Sequence, residues 1–398
     1  MALLLICAVA VAVATNYTIH GPVLGFIRAE FALSSADAGV IATAFFAGAA
    51  TTMLAGGAIA DRVGTRSAVT AGFLLVAVGN LGAGLLAPSF PTLLAWRVLG
   101  GLGSGFGFAA GAAYTRSIFD DRGRHLAQGL YGASYLLGSG ITLAYIPILA
   151  GPSGDWRLAF TLSALAVAAV WAAWTLLAPG EPQPPAATGA RVALAVAMAE
   201  RNTWLLALCH ACGFGMAIVV GTWVTLYLAD AFGLPIAVAG LIGSLTLVTG
   251  IAGRASGGVI LEGGVRPVRL IRAGLALAAI GLAMMALAPS LAFAVVGLVV
   301  TGLGVGLPYA AVFNGVAASV PASPASAQAV VGCGGLLSAV FGPPLIGTLL
   351  DATGDFAAGF LVFAAVVVAV LVLTSLIRPF DLAATDPAAM DAPARPTP

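Results

Sequence analysis

The chain has 398 residues, 61% of them hydrophobic and only 8% charged, with a formal net charge of +1. A soluble domain carries roughly 25% charged residues, so this composition excludes a water-soluble globule, and the near-zero net charge excludes the basic surface that nucleic acid requires. All the basic residues are arginine, so fixed positive charge inside the molecule has to come from Arg or a protonated His.

Apolar runs separated by charged or Pro/Gly-rich breaks predict twelve helices, at roughly 3–25, 37–58, 67–87, 91–114, 126–149, 157–178, 203–228, 236–258, 268–288, 291–318, 327–350 and 358–377. They are numbered helix 1 to helix 12 in that order. Each is long enough to span a hydrocarbon core, which takes about 20 apolar residues. Nothing in the chain alternates apolar and polar as barrel strands do. The first run, Met1 to Ala14, has no basic segment ahead of it and reads as a retained span rather than a signal peptide.

With the N-terminus inside, the inner loops, linker and tail hold Arg62, Arg66, Arg116, Arg122, Arg124, Arg191, Arg201, Arg266, Arg269, Arg272, Arg378 and Arg395. The outer side holds only Arg28 and Arg157, and Arg97 and Arg254 fall within helices. The positive-inside rule then predicts a multi-pass protein of a plasma (inner) membrane with both termini cytoplasmic. The expected organisation is a six-helix half over 1–178, a cytoplasmic linker over 179–202 opening with Pro179-Gly-Glu-Pro, a second half over 203–378, and a disordered tail over 379–398.

The halves repeat one another about 201 residues apart. Gly57-x-x-x-Asp61 returns as Gly258-x-x-x-Glu262, Ala87-Pro88-Ser89 as Ala288-Pro289-Ser290, and Gly101-x-Gly103-x-Gly105 as Gly302-x-Gly304-x-Gly306. Phe31-Ala-Leu with Gly39 answers Phe232-Gly-Leu with Gly240, and later Gly154-Asp155 answers Gly354-Asp355. Two apolar halves in one register predict an all-α bundle with a pseudo-two-fold axis, and such an arrangement reads first as a secondary transporter. Small residues let helices approach closely in a membrane, and packing is the reading for the glycine runs.

The first inner loop reads Gly57-Ala-Ile-Ala-Asp61-Arg62-Val-Gly64-Thr-Arg66, and helix 4 reads Arg97-Val-Leu-Gly-Gly101-Leu-Gly103-Ser-Gly105. Over nearly its full length the chain resembles the major facilitator superfamily, whose loop between helices 2 and 3 and whose helix-4 Arg/Gly motif these strings match. The resemblance implies that Asp61, supported by Gly57, Arg62, Gly64 and Arg66, docks at the start of helix 11 near Ala327 and holds the inner side shut. Glu262 is expected to mirror it at the start of helix 5 near Leu126. It also implies a role for Arg97 in conformational or proton coupling. The string Gly253-Arg254-Ala-Ser-Gly257-Gly258 is similar to helix 8 of the superfamily's monocarboxylate, oxalate and nitrate/nitrite porters, whose helix-8 Arg contacts the anion.

The residues support that reading independently. An Arg within hydrocarbon is costly unless it faces a wet cavity or a partner, and the guanidinium fork matches a carboxylate or oxyanion. Arg254 is therefore the lead substrate-binding candidate, weighed against a structural Arg tied to carbonyls. No Asp or Glu falls in the interior of a predicted span, which leaves His20 and His210 as titratable groups. His20, beside Gly21-Pro22 and a predicted kink in helix 1, is preferred for binding and coupling. Tyr17, Tyr135, Tyr309 and Asn314 complete the candidate set, with helix–helix packing as the alternative for each.

Cys209 and Cys212 share a helix face, but a structural zinc needs four ligands, so no metal and no cofactor is expected. No nucleophile–base pair stands at a recognisable spacing, and the chain is not read as an enzyme. The expected function is alternating-access transport of a small solute, preferably a small organic or inorganic anion, by a monomer in a lipid bilayer. Protons or a counter-anion are the expected coupling partners. The rivals are efflux of drugs or amphipathic compounds by proton antiport, and a transporter-like sensor or assembly factor that moves nothing.

Overall fold

The computed structural model describes residues 1–118, 121–180 and 190–380; the side chains of 55–61, 116–117, 121–126, 128 and 190–191 are not described. All regular structure among the described residues is helical. Twelve segments are long and apolar enough to cross a membrane: Ala2–Phe31, Ser35–Leu54, Thr65–Leu85, Phe90–Thr115, Gly129–Ala150, Trp156–Leu177, Arg201–Phe232, Ile236–Glu262, Pro267–Ala286, Leu291–Ser319, Pro324–Thr353 and Ala357–Leu376. Large apolar side chains such as Leu165, Leu176, Phe341 and Val372 point outward from the bundle, as lipid contact requires. The chain is an all-α, polytopic membrane protein.

The repeated strings are the joints of the two halves. Ala32 (φ 51°) and Gly233 (φ 64°) each end a helix in the left-handed region. Gly354 (φ 79°) does so again, and its counterpart Gly154 (φ 67°) takes the same conformation at the end of the turn after Ala150. The Asp after each glycine then starts the next helix: Asp155 accepts from the Arg157 N–H at 3.0 Å and Asp355 from the Ala357 N–H at 2.7 Å. A side-chain acceptor there satisfies one of the orphan N–H groups of the first turn.

The glycine runs are contact surfaces, as their sequence suggests. A Cβ on Gly101 would collide with the Phe45 carbonyl, and one on Gly302 with the Thr246 carbonyl; Gly105 and Gly306 meet Ala49 and Gly250 in the same way. Helices 2 and 4 therefore pack backbone to backbone, and helices 8 and 10 repeat the contact one register later.

The halves meet along two long seams. Helix 2 runs against helix 11, with Gly39 on Pro343 and Pro344 and the Thr43 hydroxyl donating to the Val340 carbonyl at 2.6 Å. Helix 5 runs against helix 8, with Gly240 on Leu143 and Pro147. Helix 1 breaks into a 3₁₀ turn at Gly21–Val23, the predicted kink: Pro22 has no N–H to continue the ladder, and Gly21 rests on the carbonyls of Gly221 and Thr222 in helix 7.

One element was not anticipated. Within the connection between halves, Ala190–Ala199 is a helix. The hydroxyl of Ser323, before helix 11, donates to its Ala193 carbonyl at 3.0 Å. Val192, Val196 and Met198 stay exposed.

Candidate functional site

Arg254 lies eight residues before the end of helix 8, about 12 Å along the helix at 1.5 Å per residue. Its Nη1 donates to the Gly132 carbonyl of helix 5 at 2.9 Å, across the seam between halves. Its guanidinium lies over the Tyr309 ring of helix 10, 4.0 Å from the centroid, a cation–π contact. Nε is buried without a partner, and no carboxylate pairs with Arg254 among the described residues. The charge is thus held on two sides and left uncompensated.

Aromatic rings continue from this point across the middle of the molecule. Tyr309 packs on Phe313 at 4.7 Å, Phe313 meets His210 edge-on at 4.9 Å, and His210 stacks on Phe214 at 5.8 Å. Phe214 reaches Tyr17 of the other half at 6.0 Å, and Tyr17 reaches Tyr135 at 5.6 Å. Tyr17 accepts from the Ser104 hydroxyl at 3.2 Å, and the Tyr131 and Tyr135 hydroxyls are 2.9 Å apart. Of the predicted residues, Arg254, Tyr309, Tyr17 and Tyr135 therefore belong to one connected cluster.

Three predicted residues do not join it. His20 is wholly buried. The Thr222 hydroxyl donates to the Ile218 carbonyl at 2.9 Å and so accepts from the His20 Nε2–H at 3.3 Å. His20 is thus a tie between helices 1 and 7. Asn314 is exposed; five residues after Tyr309, it is carried to another face of helix 10. Arg97 is 1% exposed within the first half. Its Nη2 donates to the Asn16 carbonyl at 2.9 Å, and its guanidinium lies 4.4 Å from the Phe45 ring centroid and 5.6 Å from that of Phe160. Arg97 Nε and Nη1, Asn16 Oδ1 and His20 Nδ1 are all buried without partners.

The structure adds His210, Phe214 and Phe313. The sequence favours His20 over His210 because His20 follows a polar run and precedes a kink. The distinguishing signal lay after it, in Gly213-Phe214-Gly215. Helix 7 turns there into a π-helical stretch, Ala211–Gly215, a rare conformation that recurs at functional sites.

At the loop between helices 2 and 3, Gly57 and Asp61 lie outside the described side chains. Gly64 takes φ 88°, which favours glycine. Arg62 is exposed, and Arg66 donates to the Thr175 carbonyl of helix 6 at 2.8 Å. Glu262 stands exposed at the end of helix 8 without a hydrogen bond, and its expected partner, the start of helix 5 near Leu126, lies outside the described side chains. At this end Gly129 and Gly258 face open space, with nothing within 4 Å of where a Cβ would stand. The four cysteines are free, and no group of metal-ligating side chains occurs among the described residues.

Twelve helices long and apolar enough to cross a membrane, packed along seams that carry a charged and aromatic cluster, have the architecture of a membrane transporter. The chain belongs to the Major Facilitator Superfamily, whose profile matches residues 6–325. It is 24% identical over 378 residues, 87% of this chain and 85% of the relative, to the probable sulfoacetate transporter SauU of Cupriavidus necator. Its fold is that of a bacterial homologue of the human lysosomal transporter Spinster in an inward-facing, occupied conformation (TM-score 0.80, 18% identity, 94% of this chain and 96% of that one). The xylose transporter XylE from E. coli, in a partially occluded inward-open conformation, is similar too (TM-score 0.77, 13% identity, 95% and 97%).

Proposed function

We propose that the protein moves a small organic anion across the membrane by alternating access, with Arg254 as the counter-charge. One observation carries the reading: Arg254 presents an uncompensated guanidinium at the seam between halves, anchored by Gly132 and Tyr309 and with an unpartnered Nε. A buried Arg without a carboxylate is costly, and a bound carboxylate or sulfonate would supply the missing charge. Sulfoacetate, named for the relative from Cupriavidus necator, is an anion of this kind. Tyr17 and Tyr135 would close the site from the other half. The arginine-rich side would be cytoplasmic, with Asp61, Arg62, Gly64 and Arg66 controlling closure there, and the protein would act as a monomer. Uptake of radiolabelled carboxylates and sulfonates into proteoliposomes tests the proposal. Arg254→Gln is expected to abolish uptake, and unchanged uptake and affinity in that variant would sink it.

A further inference from the structure

His210 shares the phenol ring that seats Arg254. Arg254 lies on the Tyr309 ring at 4.0 Å, and the imidazole of His210 is 6.1 Å from the same ring. His210 lies nine residues into helix 7 from Arg201, about 14 Å along the axis, which matches the depth of Arg254. Its ring is 7% exposed and makes no hydrogen bond. Helix 11 leaves it room: a Cβ on Gly335 would stand 2.6 Å from Cδ2 and 2.9 Å from Nε2. The π-helical stretch begins immediately after it.

The imidazole makes no hydrogen bond, and neither of its nitrogens is among the fully buried unpartnered atoms, unlike Nδ1 of His20, so a lone pair stays open to a proton. The titratable and charged groups around it are few. Arg254 of helix 8 and Tyr309 of helix 10 face it, Cys209 and Cys212 flank it on its own helix, and Cys333 lies two residues from Gly335 on helix 11. The arginines of helix 9 sit at the far end of that helix, with Arg272 bonded to the Thr374 hydroxyl at 2.9 Å. No carboxylate lies within this group, so the site can assemble two positive charges, on Arg254 and His210, and no negative one.

We propose that His210 is the proton carrier of a proton–anion symport whose substrate class is small dianions. The inference rests on Arg254 being the anion site. A proton beside Arg254 alone is opposed by like charge; a dianion attracts it. One proton from solution adds to the imidazole lone pair when the dianion binds, forming an N–H and balancing the charge of anion, guanidinium and imidazolium. It leaves to solution when the anion is released on the other side, and no other bond changes. His20 does not fill this role, because it is sealed and its Nε2–H is committed to Thr222.

The test uses the purified full-length protein with malonate and sulfoacetate as probes. One proton taken up per anion makes the affinity for each tighten about tenfold per unit fall in pH, over roughly pH 6 to 8. In weak buffer, addition of either probe should remove one proton per site, read with a pH dye; this needs no variant and decides the matter even if substitutions impair folding. His210→Gln, checked by its melting temperature, should bind more weakly at low pH and with an affinity that no longer varies with pH. Binding by wild type without proton uptake, or a His210→Gln variant that keeps the pH slope, overturns the assignment and leaves the anion site standing. If neither probe binds wild type and Arg254→Gln does not alter uptake of any anion, the anion reading fails and the proton assignment fails with it.

Discussion

Asp351, near the end of helix 11, accepts hydrogen bonds from the backbone N–H of Ser35 and of Ala36 in the first turn of helix 2, both at 2.9 Å. The contact joins the two halves on the side away from the arginine-rich loops. At the other seam the repeat places Gly151 where Asp351 stands and Ile236 where Ser35 stands. Gly151 there offers only van der Waals contact, 3.3 Å from the Ile236 side chain to where a Cβ would be. The two seams share a shape, and only one carries a latch.

An exposed carboxylate at a helix N-terminus gains about 0.3–1 kcal/mol, or roughly 2–5-fold in an equilibrium constant. Asp351→Ala should therefore shift the protein toward the conformation open on this side by that factor. Spin labels on Ser34→Cys and Ala352→Cys, in a background without Cys7, Cys209, Cys212 and Cys333, should report a larger population at long distance. An unchanged distance distribution would show that the latch does not hold the seam.

Arg97 offers a second test, because the other half has Leu298 at the equivalent place. Its guanidinium has one carbonyl partner, two rings and two unpartnered nitrogens. Replacing an uncompensated buried charge by an apolar side chain of similar volume is often neutral or stabilising. Arg97→Met is expected to keep or raise the melting temperature while transport falls, the signature of a group kept for coupling. A lower melting temperature with transport unchanged would make it a structural arginine.

The fold was legible in the sequence for a physical reason. Membrane crossing demands unbroken apolar runs, and the joints need particular residues, such as glycine at 154 and 354 and the following Asp. The site was legible only in part. Arg254 stood out because charge in hydrocarbon is rare, and Tyr309 proved to be its platform. His20 looked better than His210 because polar neighbours and a kink suggest a cavity, yet those neighbours turn inward: Thr18 donates to the Ser139 carbonyl and Thr15 bonds Ser163. Asn314 lies outside the cluster because residue type says nothing of helix face once Pro308 interrupts helix 10 between Gly306 and Tyr309. The helix at Ala190–Ala199 was hidden by the proline-rich string that precedes it.

The glycine contacts separate crowded positions from open ones. Gly101→Ala drives a methyl into the Phe45 carbonyl, and Gly302→Ala into that of Thr246. Each should cost about 1–3 kcal/mol, the usual range for overpacking. Gly258→Ala meets nothing and should be neutral or slightly stabilising, since alanine favours a helix by up to about 1 kcal/mol over glycine. Thermal unfolding in one detergent, compared across the three variants, checks the ranking.

Tyr309 permits the closest test of the anion site. Its ring holds Arg254 at 4.0 Å, and the Gly132 carbonyl fixes one nitrogen of the guanidinium. The ring therefore sets where the free edge of the fork points. Tyr309→Phe keeps the ring face and should leave anion affinity within about threefold. Tyr309→Leu removes a contact worth about 0.5–2 kcal/mol and should weaken affinity by roughly 2–30-fold. Arg254→Lys keeps the charge but loses the planar fork, so it should lie between Tyr309→Leu and Arg254→Gln. Affinities for malonate from thermal shift, which follow from mass action, test the order. If Tyr309→Phe and Tyr309→Leu bind equally well, the ring does not position Arg254, and the carbonyl of Gly132 does so alone.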